Sequence, residues 1–273
     1  MGIIRMNIQK FYSGKVIWIT GASSGIGEEL ARQLSAFNTR LILSSRRTEE
    51  LERVKASLNA NPENLYILPL DLAEPATLEK KAREAENAFS RIDILINNGG
   101  ISQRALALET PFEVDRKIME VNYFSGLILT KCVLPGMLAR GYGHIASISS
   151  VTGKFGFPLR SAYAASKHAM TGFYESVGAE YHHQGIHTTI VFPGRIRTNI
   201  SLGAIGPDGK PYNKMDPGQE KGTPVDRCVR IIINGIRKDK REVFPGGKEV
   251  LLIHIKRFLP NLAFRLARKV KRT

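Results

Sequence analysis

Tyr163 and Lys167 stand four residues apart in Tyr163-Ala164-Ala165-Ser166-Lys167, inside a stretch from Ser161 to about Gln184 that reads as one long helix. That spacing puts both side chains on one helical face, so their polar ends can meet a single ligand. A free tyrosine titrates at about 10 and is a poor base at neutral pH, but an ammonium close by favours the phenolate and makes the group a usable acid and base. Ser150 precedes Tyr163 by thirteen residues and ends an apolar run, where its hydroxyl can aim at the same substrate oxygen. The bland alternative for such a pair is a half-buried tyrosine beside a solvated lysine, so the surrounding elements decide what it means.

The element best suited to position a ligand lies near the start of the chain. Val16-Ile17-Trp18-Ile19 is a continuous apolar run, as in a buried parallel strand, and Thr20-Gly21-Ala22-Ser23-Ser24-Gly25-Ile26-Gly27 follows it. Three glycines let the backbone turn tightly, and a helix opening near Ser24 and running to about Phe37 points free N–H groups at an anion such as a pyrophosphate. From Lys15 onward strand and helix patterns alternate, which predicts an α/β fold: one doubly wound, Rossmann-type parallel sheet with helices on both faces. Leu41-Ile42-Leu43 is a second strand and ends in Ser44-Ser45-Arg46-Arg47. An acidic side chain there would take ribose hydroxyls, whereas an arginine takes a 2′-phosphate, so Ser45 and Arg46 favour NADP(H) over NAD(H).

A helix over Thr48 to about Ala60 is scaffold, and a third strand over Leu65–Leu70 has Asp71-Leu72 at its carboxyl end. Asp71 can face a ligand there or cap a turn. A helix from Pro75 to Phe89 leads to a fourth strand, Ile92–Ile96, closed by Asn97-Asn98-Gly99-Gly100. Thr110-Pro111-Phe112-Glu113 has the form of a capping box opening a helix that persists to about Arg140. Within it Asn122 is a polar amide among Val121, Tyr123 and Phe124 and needs a partner if buried. Gly143–Ile148 is a fifth strand.

The formal charge of +15 is concentrated at the ends: residues 1–15 carry three cations and no anion, and 248–273 carry eight cations against Glu249. The middle is weakly basic, so nucleic acid is not an expected partner. Cys132 and Cys228 lack the spacing of a disulfide framework or metal site. No apolar run is expected to approach a membrane span, and Met1-Gly2 is followed by Met6 where a myristoylation signal needs Ser or Thr. These features predict a cytoplasmic chain. No metal site is expected either, since His182 and His183 are adjacent and diverge on a helix.

The sequence order T-G-x-x-x-G-x-G, D-L, N-N-G-G, V-N, S-S, Y-x-x-x-K and Pro193-Gly194 resembles the short-chain dehydrogenase/reductase family over about residues 13–245. Ile101-Ser102-Gln103-Arg104 and Gly153-Lys154-Phe155-Gly156 are similar to its dehydrogenase/reductase member seven branch. The resemblance implies a catalytic tetrad of Asn122, Ser150, Tyr163 and Lys167. Tyr163 would be the acid in reduction and the base in oxidation, Ser150 would hold the carbonyl oxygen, Lys167 would bind the nicotinamide ribose and lower the Tyr163 pKa, and Asn122 would hold a water leading to solvent. It also implies cofactor contacts from Gly21, Ser23, Ser24, Gly25, Ile26 and Gly27 at the phosphate turn, and from Asp71 and Leu72 at the adenine. Asn97 and Gly99 would form the cofactor wall, and Pro193, Gly194 and Thr198 the nicotinamide side. Gly99 replaces the usual alanine of N-N-A-G, which puts only local stiffness in doubt. A homodimer or homotetramer is implied, with Ala164, Ala165, Ala169 and Gly172 allowing close approach of helices.

The expected organisation is one domain over 1–247, in which the Gly- and Pro-rich 195–223 forms a lid with Leu202, Ile205, Tyr212 and Met215 as candidate pocket residues. A basic helical extension over 248–273 follows, in which Leu259, Leu262, Ala263, Leu266, Ala267 and Val270 share one helical face. Arg265, Arg268, Lys271 and Arg272 lie on the other face with Phe264, which suits either docking on the domain or contact with an anionic membrane. The function expected is an NADP(H)-dependent carbonyl reductase or alcohol dehydrogenase. A 3-oxoacyl-carrier reductase and a non-catalytic NADP(H)-binding protein are the alternatives.

Overall fold

The computed structural model describes residues 7–268. In chain order its elements are α1 (Ile8–Tyr12), β1 (Val16–Thr20), α2 (Gly25–Ser35), β2 (Arg40–Ser44), α3 (Thr48–Ser57), β3 (Leu65–Ile67), α4 (Pro75–Phe89) and β4 (Ile94–Asn97). Then come α5 (Phe112–Met119), a π-helical turn (Glu120–Phe124), α6 (Ser125–Ala139), β5 (Gly143–Ile148), α7 (Ser161–Tyr181) and β6 (Ile186–Val191). The chain continues through α8 (Pro217–Glu220), α9 (Val225–Arg237), β7 (Glu242–Val243), α10 (Leu251–Phe258) and α11 (Pro260–Arg268).

The seven strands form one parallel sheet in the order β3-β2-β1-β4-β5-β6-β7. Side chains alternate along each strand, so β1 sends Ile17 and Ile19 into a core shared with α2, α3 and α9. Val16 and Trp18 go to the opposite core, against α4, α6 and α7. The buried Trp18 indole donates to Ser44 Oγ at 2.9 Å. The strand order reverses beside β1, so the carboxyl ends of β1 and β4 part and leave the crevice in which ligands of such sheets bind.

Three expectations change. Helical structure from Phe112 to Ala139 is continuous over 28 residues and its most apolar 18-residue window has a mean hydropathy of 1.3, so it does reach the length and apolarity of a membrane span; half of that window is buried inside the protein. No capping box forms at its start: the Thr110 hydroxyl donates to Leu106 O and accepts from Gln103 Nε2, because Gln103 reaches it before the helix can. Ala164 is buried within its own chain, so of the four small residues expected to face a partner Ala165, Ala169 and Gly172 reach the surface of α7. Among the tail residues, α10 and α11 form as expected and bury no residue completely. Val270, Lys271 and Arg272 lie outside the described residues.

Candidate active site

A cavity of about 1140 Å³ opens at the carboxyl ends of β1, β2, β4, β5 and β6. Its floor is the glycine turn. Gly21 and Gly25 have φ of +66° and +59°, a region that L side chains avoid, so only glycine takes this path without strain. A Cβ on Gly21 would come within 2.8 Å of Gly99 Cα, which shows how closely the two loops pack. Ser24 stands extended at the N-terminus of α2 and makes no side-chain cap, leaving the first N–H groups of an eleven-residue helix to the cavity. With Ser23 and Ile26 also on the wall, these residues fit a dinucleotide pyrophosphate.

Gly27 does not line the cavity. A Cβ there would run into the Gly21 carbonyl oxygen and stand 2.6 Å from Asn98 Nδ2, so this glycine lets α2 approach the turn. Asn97 is likewise displaced from its expected role. Its amide points into the core, donating to Tyr174 Oη at 2.8 Å and Thr130 Oγ1 at 3.2 Å. Asn98 is the amide on the cavity wall, and its Nδ2 donates to Thr20 O (2.9 Å) and Gly21 O (3.2 Å), pinning the turn. Gly99 is on the wall, and an alanine there would press on Leu72 Cδ1, so its smallness relieves a contact as well as softening the loop.

At the adenosine end Ser45, Arg46, Arg47, Asp71 and Leu72 line the cavity. Arg47 folds back so that Nη2 donates to Ser23 Oγ at 3.1 Å, while its backbone N–H donates to Ser45 Oγ at 3.1 Å. Asp71 Oδ1 accepts from Ala73 N at 2.9 Å, so the carboxylate caps its own turn while facing the cavity. Pro193, Gly194 and Thr198 stand on the opposite wall.

The reacting end gathers Ser150, Tyr163 and Lys167 on one wall. Burial raises the Tyr163 pKa above the ordinary phenol value; the Arg160 guanidinium is the largest influence opposing it, followed by the Ser150 hydroxyl. The Lys167 ammonium donates to Ile148 O at 2.9 Å and stands 5.7 Å from the Tyr163 ring centre, and burial pushes its own pKa down to about 7. Asn122 sits in the π-helical turn, buried and off the cavity wall. Its amide accepts from Ile101 N (2.8 Å) and donates to Ile101 O and Ser166 Oγ (both 3.0 Å), tying the loop after β4 to α7. The polar amide has the partners that burial demands.

In the 195–223 segment, Leu202 lines the cavity, whereas Ile205, Tyr212 and Met215 do not. Ile205 instead packs with Val114, Ile118 and Ala162, held by backbone pairing to the loop at Ser102–Arg104. Sequence reading also missed His187. With His182 and Asp239 it brings possible ligand atoms within 4.8 Å of one another, at the amino end of β6 and away from the cavity.

Fold and site together define a dinucleotide-dependent oxidoreductase: a glycine turn at the strand reversal faces the buried Tyr163 and Lys167 across one cavity. A family model described as short chain dehydrogenase matches residues 15–204, and the chain belongs to that family. A relative from Drosophila melanogaster, described as dehydrogenase/reductase SDR family protein 7-like, is 44% identical over 268 residues, covering 95% of this chain and 82% of the relative. Among solved structures, a short chain dehydrogenase/reductase from Burkholderia phymatum in complex with NAD superposes with a TM-score of 0.81 at 20% identity, covering 92% of this chain and 95% of that one. A short chain dehydrogenase from Burkholderia cenocepacia in complex with NADP gives 0.77 at 23%, covering 95% and 99%. At these identities the two structures carry the fold.

Proposed function

We propose that the protein is an NADP(H)-dependent reductase of ketones or dehydrogenase of secondary alcohols. The observation that carries this reading is the buried Tyr163 beside Ser150 at the end of a cavity whose other end presents Arg46 and Arg47. When bound, the nicotinamide supplies the hydride in reduction and takes it in oxidation. Tyr163 Oη gives its proton to the carbonyl oxygen as the carbonyl carbon gains the hydride, and the Ser150 hydroxyl holds that oxygen by a hydrogen bond. Burial keeps the phenol protonated at neutral pH, which suits it to the donor role of reduction. Lys167, fixed on Ile148 O at the same wall, would bind the nicotinamide ribose. Ser45 brings no carboxylate to repel a 2′-phosphate, and the guanidiniums of Arg46 and Arg47 can pair with one.

The test is turnover of a panel of ketones and acyl thioesters with NADPH and NADH. Wild type should favour NADPH, Arg46→Ala and Arg47→Ala should lose that preference, and Tyr163→Phe should lose turnover while still binding cofactor. Equal use of the two cofactors by wild type would refute the NADP(H) assignment. Tyr163→Phe within about tenfold of wild type would refute the proton donor.

A second proposal concerns location. Leu251, Phe258, Leu259 and Phe264 are more than half exposed on α10, α11 and their junction, interleaved with Lys256, Arg257, Arg265 and Arg268. This surface suits a cytoplasmic protein that rests on an anionic membrane. The exposed Ala165 and Gly172 of α7, with Phe124 at the end of the π-helical turn, suit helix packing in a homodimer or homotetramer.

A further inference from the structure

The substrate end of the cavity sets the guanidiniums of Arg104 and Arg160 against the carboxylate of Asp216. Arg104, in the loop after β4, and Arg160, three residues before Tyr163, both line the cavity with side chains only 8% and 18% exposed. Asp216, at the start of α8 in the 195–223 segment, faces both. Its Oδ2 takes the hydrogen bond from Arg104 Nη2 and lies 3.6 Å from Arg160 Nη2. Its Oδ1 is occupied by the backbone N–H groups of Gly218 (2.8 Å) and Gln219 (3.3 Å). Arg160 Nη1 donates to Ser102 Oγ at 2.7 Å, and Arg104 Nε is buried with no acceptor among the described residues. The third guanidinium facing Arg160 is that of Arg195, which has Glu249 against its backbone N–H at 2.7 Å.

One ion pair would suffice to hold the 195–223 segment down, so the second guanidinium is surplus to that task. Burial disfavours its charge, Arg104 adds to the penalty, Tyr163 and Asp216 offset part of it, and Arg195 adds a smaller share. A guanidinium in a dry site is matched best by a carboxylate, which it takes through two parallel hydrogen bonds. Arg160 is also within reach of the reaction, its Cζ 5.8 Å from the Tyr163 ring centre.

We propose that Arg104 and Arg160 form the receptor for a carboxylate on the substrate, so that the compounds reduced or formed at Tyr163 are oxo acids and hydroxy acids. The proposal rests on the oxidoreductase reading for the position of the reacting carbonyl. The incoming carboxylate joins Asp216 and brings the Arg104–Arg160 pair to charge balance. The short span from guanidinium to phenol places that carboxylate a few carbons from the carbonyl.

The test is calorimetric binding of 2-oxo-4-phenylbutanoate and 4-oxo-4-phenylbutanoate, each beside its methyl ester, to enzyme saturated with NADPH and made non-reacting by Tyr163→Phe. At least one acid should bind about tenfold or more tightly than its ester. Adding Arg160→Gln should bring that ratio to near one, and Arg160→Lys should keep part of it, with NADPH affinity as the check on folding. No acid binding more tightly than its ester, or a ratio untouched by Arg160→Gln, overturns the proposal. Turnover of the same pairs by wild type separates the two claims: acid-selective binding without reduction of either acid leaves the receptor standing and removes the oxo-acid reductase.

Discussion

Gly27→Ala adds one methyl group at a place where the structure has no room for it. The new Cβ would overlap the Gly21 carbonyl oxygen and lie 2.6 Å from Asn98 Nδ2, the first part of the glycine turn and the second the amide that pins it. Ordinary contacts begin near 3.4 Å, so α2 must retreat by roughly an ångström. Overpacking of this kind costs about 1–3 kcal/mol. The retreat also strains the two Asn98 hydrogen bonds to Thr20 O and Gly21 O, at about 1 kcal/mol each. Alanine returns about 1 kcal/mol as the better helix former, leaving a net loss of about 3 kcal/mol. For a chain of this size that lowers Tm by about 6–12 °C. Cofactor affinity should fall about a hundredfold, because the displaced N–H groups are those aimed at the pyrophosphate. Thermal unfolding and NADPH fluorescence titration measure both effects. Gly99→Ala is the control: its added methyl meets the mobile end of Leu72, so it should cost about 1 kcal/mol or less. A Gly27→Ala protein with wild-type Tm and affinity, or one no worse than Gly99→Ala, would refute the close-approach argument.

The depressed Lys167 pKa makes stability depend on pH with a definite sign. Between about 7 and the unfolded value of 10.5 the unfolded chain holds a proton that the folded chain does not, so stability rises with pH there and the gain is lost as pH falls to 7. Cofactor-free wild type should therefore gain Tm relative to Lys167→Met between pH 7 and 8.5; parallel profiles would contradict the burial of an uncompensated ammonium. Full-length protein should cosediment with anionic but not neutral vesicles at low salt, and a chain ending at Leu259 should bind less; equal binding by the two would assign the tail to the domain alone. Light scattering at micromolar concentration should give more than a monomer mass, reduced by Gly172→Arg on the open face of α7. A monomer mass for wild type would exclude that interface.

The parts of the site that follow a strict pattern were legible before the fold was known. Pro75–Phe89 and Gly143–Ile148 end at the predicted residues because proline opens the first, while glycine opens the second and serines close it. The glycine turn was readable because its chemistry is written in backbone, with little left to side-chain direction. Adjacent polar pairs were not. Asn97 and Asn98 are the same residue type one position apart, and successive side chains leave a strand on opposite sides; only the packing of Tyr174 and Thr130 decides which amide enters the core. Arg46 and Arg47 pose the same problem, since the reach of Arg47 to Ser23 Oγ depends on the fold of the turn. The influence of Arg160 on Tyr163 was invisible for another reason. A spacing of four on a helix draws the eye to Lys167, while the competing bond to Ile148 O comes from a strand nineteen residues away.

The π-helical turn at Glu120–Phe124 also keeps phase along the chain. A turn with i→i+5 bonds holds one residue more than an α-helical turn, and one residue amounts to about 100° of rotation. The apolar stripes of α5 and α6 are thus out of step by that angle. This lets Val114 and Ile118 face Ala162 beside the cavity while Leu129 and Val133 face the core under α4. Deleting one residue from the turn would yield a more regular helix whose second half pointed its apolar side the wrong way. Here the irregularity preserves the fold, and a frame shift of a single residue would undo a helix that no local propensity scale would flag.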